Sequence, residues 1–373
     1  MLVKREDEMR KKLFKWHSLS ALIALIPLMV IAVTGSILVF KVEIDTWLMP
    51  NQMQVTVDKN QTRLNLNILV NNVEKAHPDF LMGSWELFDD KVRADTAYLI
   101  KKQTGHWYKL YLNQYSGELL SKPVTVTHDF TDWLLSLHYT FLLDFTGTVL
   151  GSIFAIILLF LGISGIVLHR RFWKKLFTLR FSAARRVFYS DVHKLLGIIS
   201  SPILLILAFT GGYYNISAVV HEVSEHIEAQ PLLTKPLYNQ HLDLQMLLDN
   251  TNKDIEGYRA TYFTFPFEPE LHVTFYGEVP SSNPLASEYG SMITYDRQTG
   301  EKMLAYDIRS ASNINVVVDT FRKLHFGYFA GLPSKVIWCL LGLTPLFLSL
   351  TGLYFYLFRT RRRSINGVLA STS

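Results

Sequence analysis

The sequence predicts an α-helical integral membrane protein, a four-helix transmembrane bundle with an internal duplication, which carries two α+β domains outside the membrane. Three observations lead to this fold class. The 373 residues are 49% hydrophobic yet 18% charged, which is too apolar for a soluble protein and too charged for one lying wholly in a membrane. Four uncharged runs are long enough to cross a bilayer, and the two halves of the chain align with each other.

The four uncharged runs define the predicted transmembrane helices. A helix needs roughly 20 apolar residues to cross a hydrocarbon core of about 30 Å. Runs of this length predict helices over residues 16–40, 145–169, 193–220 and 336–358. The first run is longer than a signal peptide and has no small-residue cleavage site, so we expect it to remain as an anchor.

Lysine and arginine predict the orientation, because basic residues close to membrane segments are retained in the cytoplasm. They cluster in residues 1–15, in the loop 170–192 and in the tail 359–373. These three segments are therefore predicted to be cytoplasmic. Residues 41–144 and 221–335 then face the periplasm of a bacterial inner membrane. The net charge of +5 follows from this topology, so we predict the lipid bilayer and no nucleic acid as a partner.

Aligning the halves of the chain reveals the duplication. The stretch "WHSLSALIALIPLMVIAVTGSILVF" lies over "VHKLLGIISSPILLILAFTGGYYNI", which pairs His17 with His193. A longer block aligns without a gap and pairs His138 with His325. Each half is therefore predicted to consist of a helix, a soluble domain and a second helix.

Both soluble domains have the pattern of an α+β fold. The stretches "LNILVNNVEKAHPDF" and "DLQMLLDNTNKDI" have helical apolar spacing, whereas the later parts of each domain alternate as strands do. The aligned turns "NQYSGE" and "DRQTGE" each supply a glycine that tolerates positive φ, Gly117 and Gly300. The single cysteine, Cys339, lies in the fourth apolar run, which excludes a disulfide framework and a thiolate metal site.

Five of the twelve histidines lie at predicted helix ends. Three are on the cytoplasmic side and two on the periplasmic side: His17, His169 and His193, then His138 and His325. Burying an ionisable residue at membrane depth costs several kcal/mol unless it has a partner or a ligand. A single histidine would suit the headgroup zone, but two symmetry-related pairs favour axial ligation of haem iron between apolar helices.

The duplication suggests how the ligands pair. His138 with His325 would hold a periplasmic haem, and His17 with His193 a cytoplasmic one. His169 is a possible replacement at the cytoplasmic face, although its aligned counterpart is a tyrosine. Two haem b groups are thus the predicted cofactors, and together they would carry electrons across the bilayer.

Several motifs resemble a known family. The paired "LH" before the second and fourth helices, the "TG" in the first and third, and "GISGIVLHRRFWKKLFTLR" followed by "DVHKLLG" resemble PepSY-associated transmembrane proteins. The resemblance covers about residues 12–363, and the soluble domains resemble PepSY modules. The four-helix, two-PepSY form is similar to FoxB-type inner-membrane siderophore reductases, which carry two b haems and reduce ferric siderophores in the periplasm. The resemblance implies the same bis-histidine haem binding at the five helix-end histidines.

The predicted function is therefore a haem-dependent ferric-siderophore reductase. A cytoplasmic flavoprotein, an NAD(P)H reductase or quinol would supply electrons, and a ferric siderophore or other ferric chelate in the periplasm would accept them. Trp133, Tyr139 and Tyr328 are candidate substrate residues, with an interfacial aromatic belt as the alternative. Two other functions remain open, a haem-free PepSY protein that binds or regulates a periplasmic partner, and a siderophore permease. The motifs identify neither the chelate nor the donor.

Overall fold

The computed structural model describes residues 2–57, 61–169, 178–227 and 232–371. The basic residues 170–177 of the predicted cytoplasmic loop lie outside this part of the chain. The protein divides into two compact units. We call them the helical unit (Met1–Phe40, Leu134–Ser224 and Leu324–Ser373) and the sheet unit (Lys41–Trp133 and Glu225–Lys323).

The secondary structure is predominantly helical. The helices, in chain order, are α1 (Leu2–Ile23), α2 (Leu25–Leu38), α3 (Lys41–Leu48), α4 (Pro50–Met53), α5 (Leu66–Ala76), α6 (Phe130–Thr140), α7 (Asp144–Leu168), α8 (Arg185–Ile227), α9 (Leu244–Asp254), α10 (Asn313–Asp319), α11 (Phe321–Phe326), α12 (Leu332–Gly342) and α13 (Thr344–Ser371). The strands are β1 (Phe80–Glu86), β2 (Asp95–Lys101), β3 (Trp107–Leu112), β4 (Val124–Thr125), β5 (Arg259–Thr264), β6 (Val273–Glu278), β7 (Ser291–Tyr295) and β8 (Lys302–Tyr306).

The helical unit contains the candidate membrane spans. Within the described chain, three helical segments are long and apolar enough to cross a membrane: Asp144–Leu168, Arg185–Ser224 and Leu332–Arg359. A fourth span exists if α1 and α2, which are bent by 65° relative to each other, cross the membrane together. By length and composition, these candidate spans indicate a membrane protein.

The bend between α1 and α2 has a local cause. Where the sequence predicts one helix over residues 16–40, the structure has two, separated at Ala24. Pro27 lies in the first turn of α2. Because proline has no N–H and its ring clashes with the carbonyl four residues earlier, it disfavours continuation of the helix through Ile23.

The sheet unit is built on one antiparallel sheet. Its strand order is β4-β3-β2-β1-β5-β6-β7-β8, so strands from both predicted soluble segments form a single eight-stranded sheet. The junction is the antiparallel pair β1–β5, in which Trp85 lies opposite Phe263. Both side chains are fully buried and stacked, with ring centroids 6.2 Å apart. The two predicted domains thus share one sheet, because pairing β1 with β5 satisfies two strand edges that separate domains would leave open.

The sheet unit also contains the two turns singled out in the sequence. Gly117 and Gly300 both have positive φ, at 75° and 73°. Each glycine closes its turn by donating its backbone N–H to a carbonyl, that of Asn113 or of Asp296. The prediction of positive φ at these two glycines is confirmed.

A strained connection follows α6 in the helical unit. Phe141, Leu142 and Asp144 all have positive φ, between 48° and 60°, which L-residues rarely adopt. The start of α7 then passes very close to the end of α6, since a Cβ added to Gly147 would lie 1.5 Å from the carbonyl oxygen of Thr140. Only glycine fits at this crossing, and the crossing constrains the segment that carries His138.

Candidate functional site

Four of the five helix-end histidines make the same kind of contact in the helical unit. His17 lies on α1, His138 on α6, His193 on α8 and His325 on α11, and each is half-buried. Each ring uses Nδ1 to hydrogen-bond a hydroxyl on another helix. The distances are 2.7 Å for His17 and Ser164, 3.0 Å for His138 and Thr34, 2.7 Å for His193 and Thr351, and 2.9 Å for His325 and Thr210.

The four contacts form two equivalent sets. Ser164 and Thr351, the partners of His17 and His193, occupy aligned positions in the block that pairs His138 with His325. Thr34 and Thr210, the partners of His138 and His325, occupy aligned positions in the stretch that pairs His17 with His193. Each histidine–hydroxyl contact in one half of the chain therefore has its counterpart at the aligned positions of the other half.

Two glycines leave room for the rings of His138 and His325. A Cβ added to Gly35 would lie 2.7 Å from Cε1 of His138, and one added to Gly211 would lie 3.0 Å from Cε1 of His325. Real Cβ atoms essentially never show a contact of 2.7 Å, and one of 3.0 Å requires the neighbour to shift by a few tenths of an ångström. Gly35 and Gly211 directly follow Thr34 and Thr210, so one turn of each helix supplies both the hydroxyl and the space for the ring.

His138 and His325 line one cavity. Its volume is about 380 Å³, within the range of about 300–1,000 Å³ typical of small-molecule sites. The wall is mostly apolar and includes Leu28, Ala32 and Leu204. The two imidazoles thus lie in the wall of a mostly apolar cavity between helices.

The second pair, His17 and His193, lies elsewhere along the helices. Their rings are close enough to interact electrostatically if protonated. Between His193 and Thr210, which both lie on α8, the helix rises roughly 25 Å at about 1.5 Å per residue. The two histidine pairs therefore occupy different levels of the helical unit.

The donor set suits a haem iron. Within the described chain, each hydrogen bond made by these four rings uses Nδ1, which leaves Nε2 for a metal. Two imidazoles that line one mostly apolar cavity are a donor set that could hold the iron of a haem. In contrast, no group of three or more His, Cys, Asp or Glu side chains suited to a bare metal ion occurs among the described residues.

Residues 14–359 match a family model described as the PepSY-associated TM region. This chain belongs to the PepSY-associated TM family. It also matches a curated Pseudomonas aeruginosa protein described as uncharacterized, with 39% identity over 88 residues. That match covers 24% of this chain and 22% of the relative, so the chain spans about a fifth of the relative's length.

The remaining predicted ligand of this PepSY-associated protein, His169, follows the end of α7. Its backbone N–H donates to the carbonyls of Gly165 and Ile166. Its ring lies within electrostatic range of Lys194 and Arg10, and Lys194 is the residue after His193. His169 is therefore near the His17–His193 end of the unit, and its use as a replacement ligand stays a prediction.

The three aromatic residues predicted at the substrate site have different positions. Tyr139 lines the cavity of the PepSY-associated protein, and its side chain is 42% exposed. Tyr328 lies beside Phe326, with ring centroids 6.4 Å apart. Trp133 is exposed and belongs to the sheet unit. The structure thus brings Tyr139 together with the histidine pair, and a substrate role for all three stays a prediction.

Sequence reasoning missed several residues of this site. The hydroxyl partners Ser164 and Thr351 were not singled out, although hydroxyls at aligned positions in both halves were an available signal. Tyr214 also lines the cavity, edge-on to His325 with ring centroids 5.7 Å apart. Trp338 lines it as well and donates from Nε1 to the carbonyl of Leu324 at 2.6 Å.

Proposed function

We propose that this chain is a di-haem b oxidoreductase of the bacterial inner membrane, which passes electrons across the bilayer to a ferric chelate of the siderophore class. The observation that carries the proposal is the pair of histidine sets, each held by hydroxyls from neighbouring helices. Histidine rings are expensive at membrane depth, and ligation of a metal accounts for retaining four of them.

The proposal includes the finer architecture. The four spans form one duplicated bundle, with His138 and His325 holding one haem and His17 and His193 the other. The basic segments around the spans support cytoplasmic termini, and they leave the sheet unit in the periplasm. The cavity pair then lies at the periplasmic side, where the chelate is reduced.

The chain's own residues position the site and exclude water from it. When bound, haem supplies a reversible one-electron couple, whose potential the axial ligands and surrounding polarity set. The mostly apolar wall around His138 and His325 excludes water from this end of the electron path. Each ferric ion takes one electron, and the ferrous ion is held less tightly by hard oxygen ligands, so the chelate releases it for uptake. A cytoplasmic flavoprotein, an NAD(P)H reductase or quinol is the electron source.

The first experiment is the dithionite-reduced minus oxidised visible spectrum of the detergent-purified full chain, with haem quantified per chain. We expect close to two low-spin b haems. His138→Ala and His325→Ala should each remove one haem and abolish reduction of a ferric chelate. His106→Ala, at an exposed position of the sheet unit, is the matched control and should change neither.

Other outcomes would redirect the assignment. A protein that stays colourless after haem supplementation would contradict the reductase and favour the haem-free role, in which the sheet unit binds a periplasmic partner. Movement of intact chelate into reconstituted vesicles without any reductant would favour the permease. Full haem loading with no reduction of ferric chelates would retain the electron path and exclude this substrate class.

A further inference from the structure

The hydroxyls that contact the four histidines have already used their single hydrogen. Thr34 and Thr210 donate from Oγ1 to the carbonyls of Val30 and Ile206, both at 2.7 Å. A hydroxyl has one O–H donor and two acceptor lone pairs. Since the hydrogen points back into its own helix, the oxygen can meet the imidazole only as an acceptor.

The second histidine pair follows the same rule. Thr351 donates to the carbonyl of Phe347 at 2.8 Å, and Ser164 donates to that of Leu161 at 3.3 Å. Both hydroxyl oxygens are 2.7 Å from a histidine Nδ1. The three threonines are therefore arranged to accept a hydrogen bond from the ring, and the longer back-contact of Ser164 is compatible with the same role.

The ring must then carry its hydrogen on Nδ1. In a neutral imidazole one nitrogen is the donor and the other the acceptor, so an Nδ1–H ring has its lone pair on Nε2. His138 gives an independent check, because its Nδ1 also lies 3.1 Å from the carbonyl oxygen of Ile31, which can only accept. The hydroxyls thus select the tautomer that presents Nε2 to a metal.

We propose that Thr34, Ser164, Thr210 and Thr351 are positioning residues, which hold the four histidines as Nδ1–H tautomers and so set haem retention and reduction potential. This inference rests on the proposed haem-binding function. Outer hydrogen bonds of this kind orient a ligating histidine and raise its basicity, and their loss typically costs about 10–100-fold in metal affinity. A more basic ligand stabilises ferric over ferrous iron, so losing the hydroxyl should raise the midpoint potential.

A purely structural reading makes a different prediction. Serine and threonine in apolar helices commonly donate to the carbonyl one turn earlier, with no other role. Thr344 is such a residue, since it is 4% exposed and donates to the carbonyl of Leu341 at 2.6 Å. Thr344→Val therefore removes a buried, back-bonded hydroxyl in the same unit without touching a histidine contact, which makes it the matched control.

The experiment compares Thr210→Val, Thr34→Val and Thr344→Val in the full-length haem-loaded protein. The readouts are haem loss on dilution and the midpoint potential of each haem. Thr210→Val should weaken haem retention about 10–100-fold and raise one midpoint potential. Thr34→Val should act in the same direction but less, because the carbonyl of Ile31 remains as an acceptor for His138.

Rescue and control variants complete the test. Thr210→Ser keeps the hydroxyl and should restore the potential, whereas Thr344→Val should leave it unchanged. The inference is overturned if Thr210→Val matches the wild type, or if Thr344→Val shifts the potential equally. Either result would leave the di-haem assignment intact.

A second measurement separates this inference from the proposed function. In the haem-free full chain labelled with nitrogen-15 histidine, the ring nitrogen shifts report the tautomer directly. We expect Nδ1–H for His325 in the wild type and its loss in Thr210→Val. Absence of haem binding together with this tautomer would refute the reductase but support the selection by hydroxyls. Haem binding with an Nε2–H ring in the haem-free chain would support the haem assignment and refute the selection of the tautomer by hydroxyls.

Discussion

Replacing Gly35 with alanine tests whether the histidine cavity has the geometry described. The added Cβ would lie 2.7 Å from Cε1 of His138, so the ring must retreat by about 0.7 Å to reach an ordinary contact of 3.4 Å. Thr34, the residue before Gly35, holds Nδ1 of the same ring at 3.0 Å. The retreat therefore strains the hydrogen bond that fixes the ring.

The expected magnitude is the balance of two effects. Gly→Ala inside a helix normally stabilises by up to about 1 kcal/mol, whereas overpacking costs about 1–3 kcal/mol. Gly352→Ala supplies the reference, because its Cβ would meet nothing within 4 Å. Gly35→Ala should consequently be about 1–3 kcal/mol less stable than Gly352→Ala. Gly211→Ala, with a 3.0 Å contact, should be affected less, and Gly165→Ala, with 3.7 Å, least.

Thermal unfolding and haem content of the four purified variants provide the assay. We expect both to fall in the order of the Cβ contacts, with Gly35→Ala lowest and Gly352→Ala equal to or above the wild type. If Gly35→Ala unfolds at the temperature of Gly352→Ala and keeps the same haem content, the close packing of His138 against this helix is wrong. A uniform loss in all four variants would contradict it equally.

Two further predictions concern the sheet unit. Lys109 is 4% exposed and its Nζ pairs with Asp129 at 2.6 Å and with Asp132, so Lys109→Met should cost about 3–5 kcal/mol by removing the buried countercharge that these two carboxylates share. Lys302→Met removes the half-exposed ion pair between Lys302 and Asp254 and should cost at most about 1 kcal/mol. If Lys109→Met and Lys302→Met lowered the melting temperature equally, this prediction would be contradicted. Burial alone would raise the pKa of Asp129, but its hydrogen bonds and the Lys109 charge lower it overall. This stabilisation is therefore present above the unfolded carboxyl pKa of about 4 and is lost as pH falls through the lower folded value. Asp129→Asn should flatten that acid-side loss in melting curves, and an unchanged pH dependence would count against the ion pair.

The candidate site shows how far sequence reasoning reached. The pairing of His138 with His325 and of His17 with His193 was available from the alignment of the two halves, because the aligned positions carry the same residue type. The alignment could have singled out Ser164, but not its contact with His17, because the two residues lie on different helices. Which helices are neighbours depends on which of their faces pack together. A helix that is apolar on all sides has no distinct apolar face, so its sequence does not indicate its neighbour.

In the sheet unit too, the sequence predicted local structure but not the contacts between distant segments. Helix and strand periodicity predicted an α+β pattern in each soluble segment, but not that β1 pairs with β5 to join them. Strand pairing across such a long separation depends on which edges remain open after the local hairpins form, and local periodicity does not contain this information. The bend at Ala24 could have been predicted, because Pro27 disfavours a continuous helix. The prediction of one span over residues 16–40 considered only the length of the apolar run.

The sequence by itself determined the membrane class, the approximate spans, the paired histidines and the family resemblance, because each depends on residue type and spacing along one chain. Tertiary structure decided the rest. It placed a hydroxyl at Nδ1 of each of four histidines, put His138 against Gly35 and His325 against Gly211, and enclosed one histidine pair in an apolar cavity. These features are contacts between helices distant in sequence, and only packing in three dimensions specifies them.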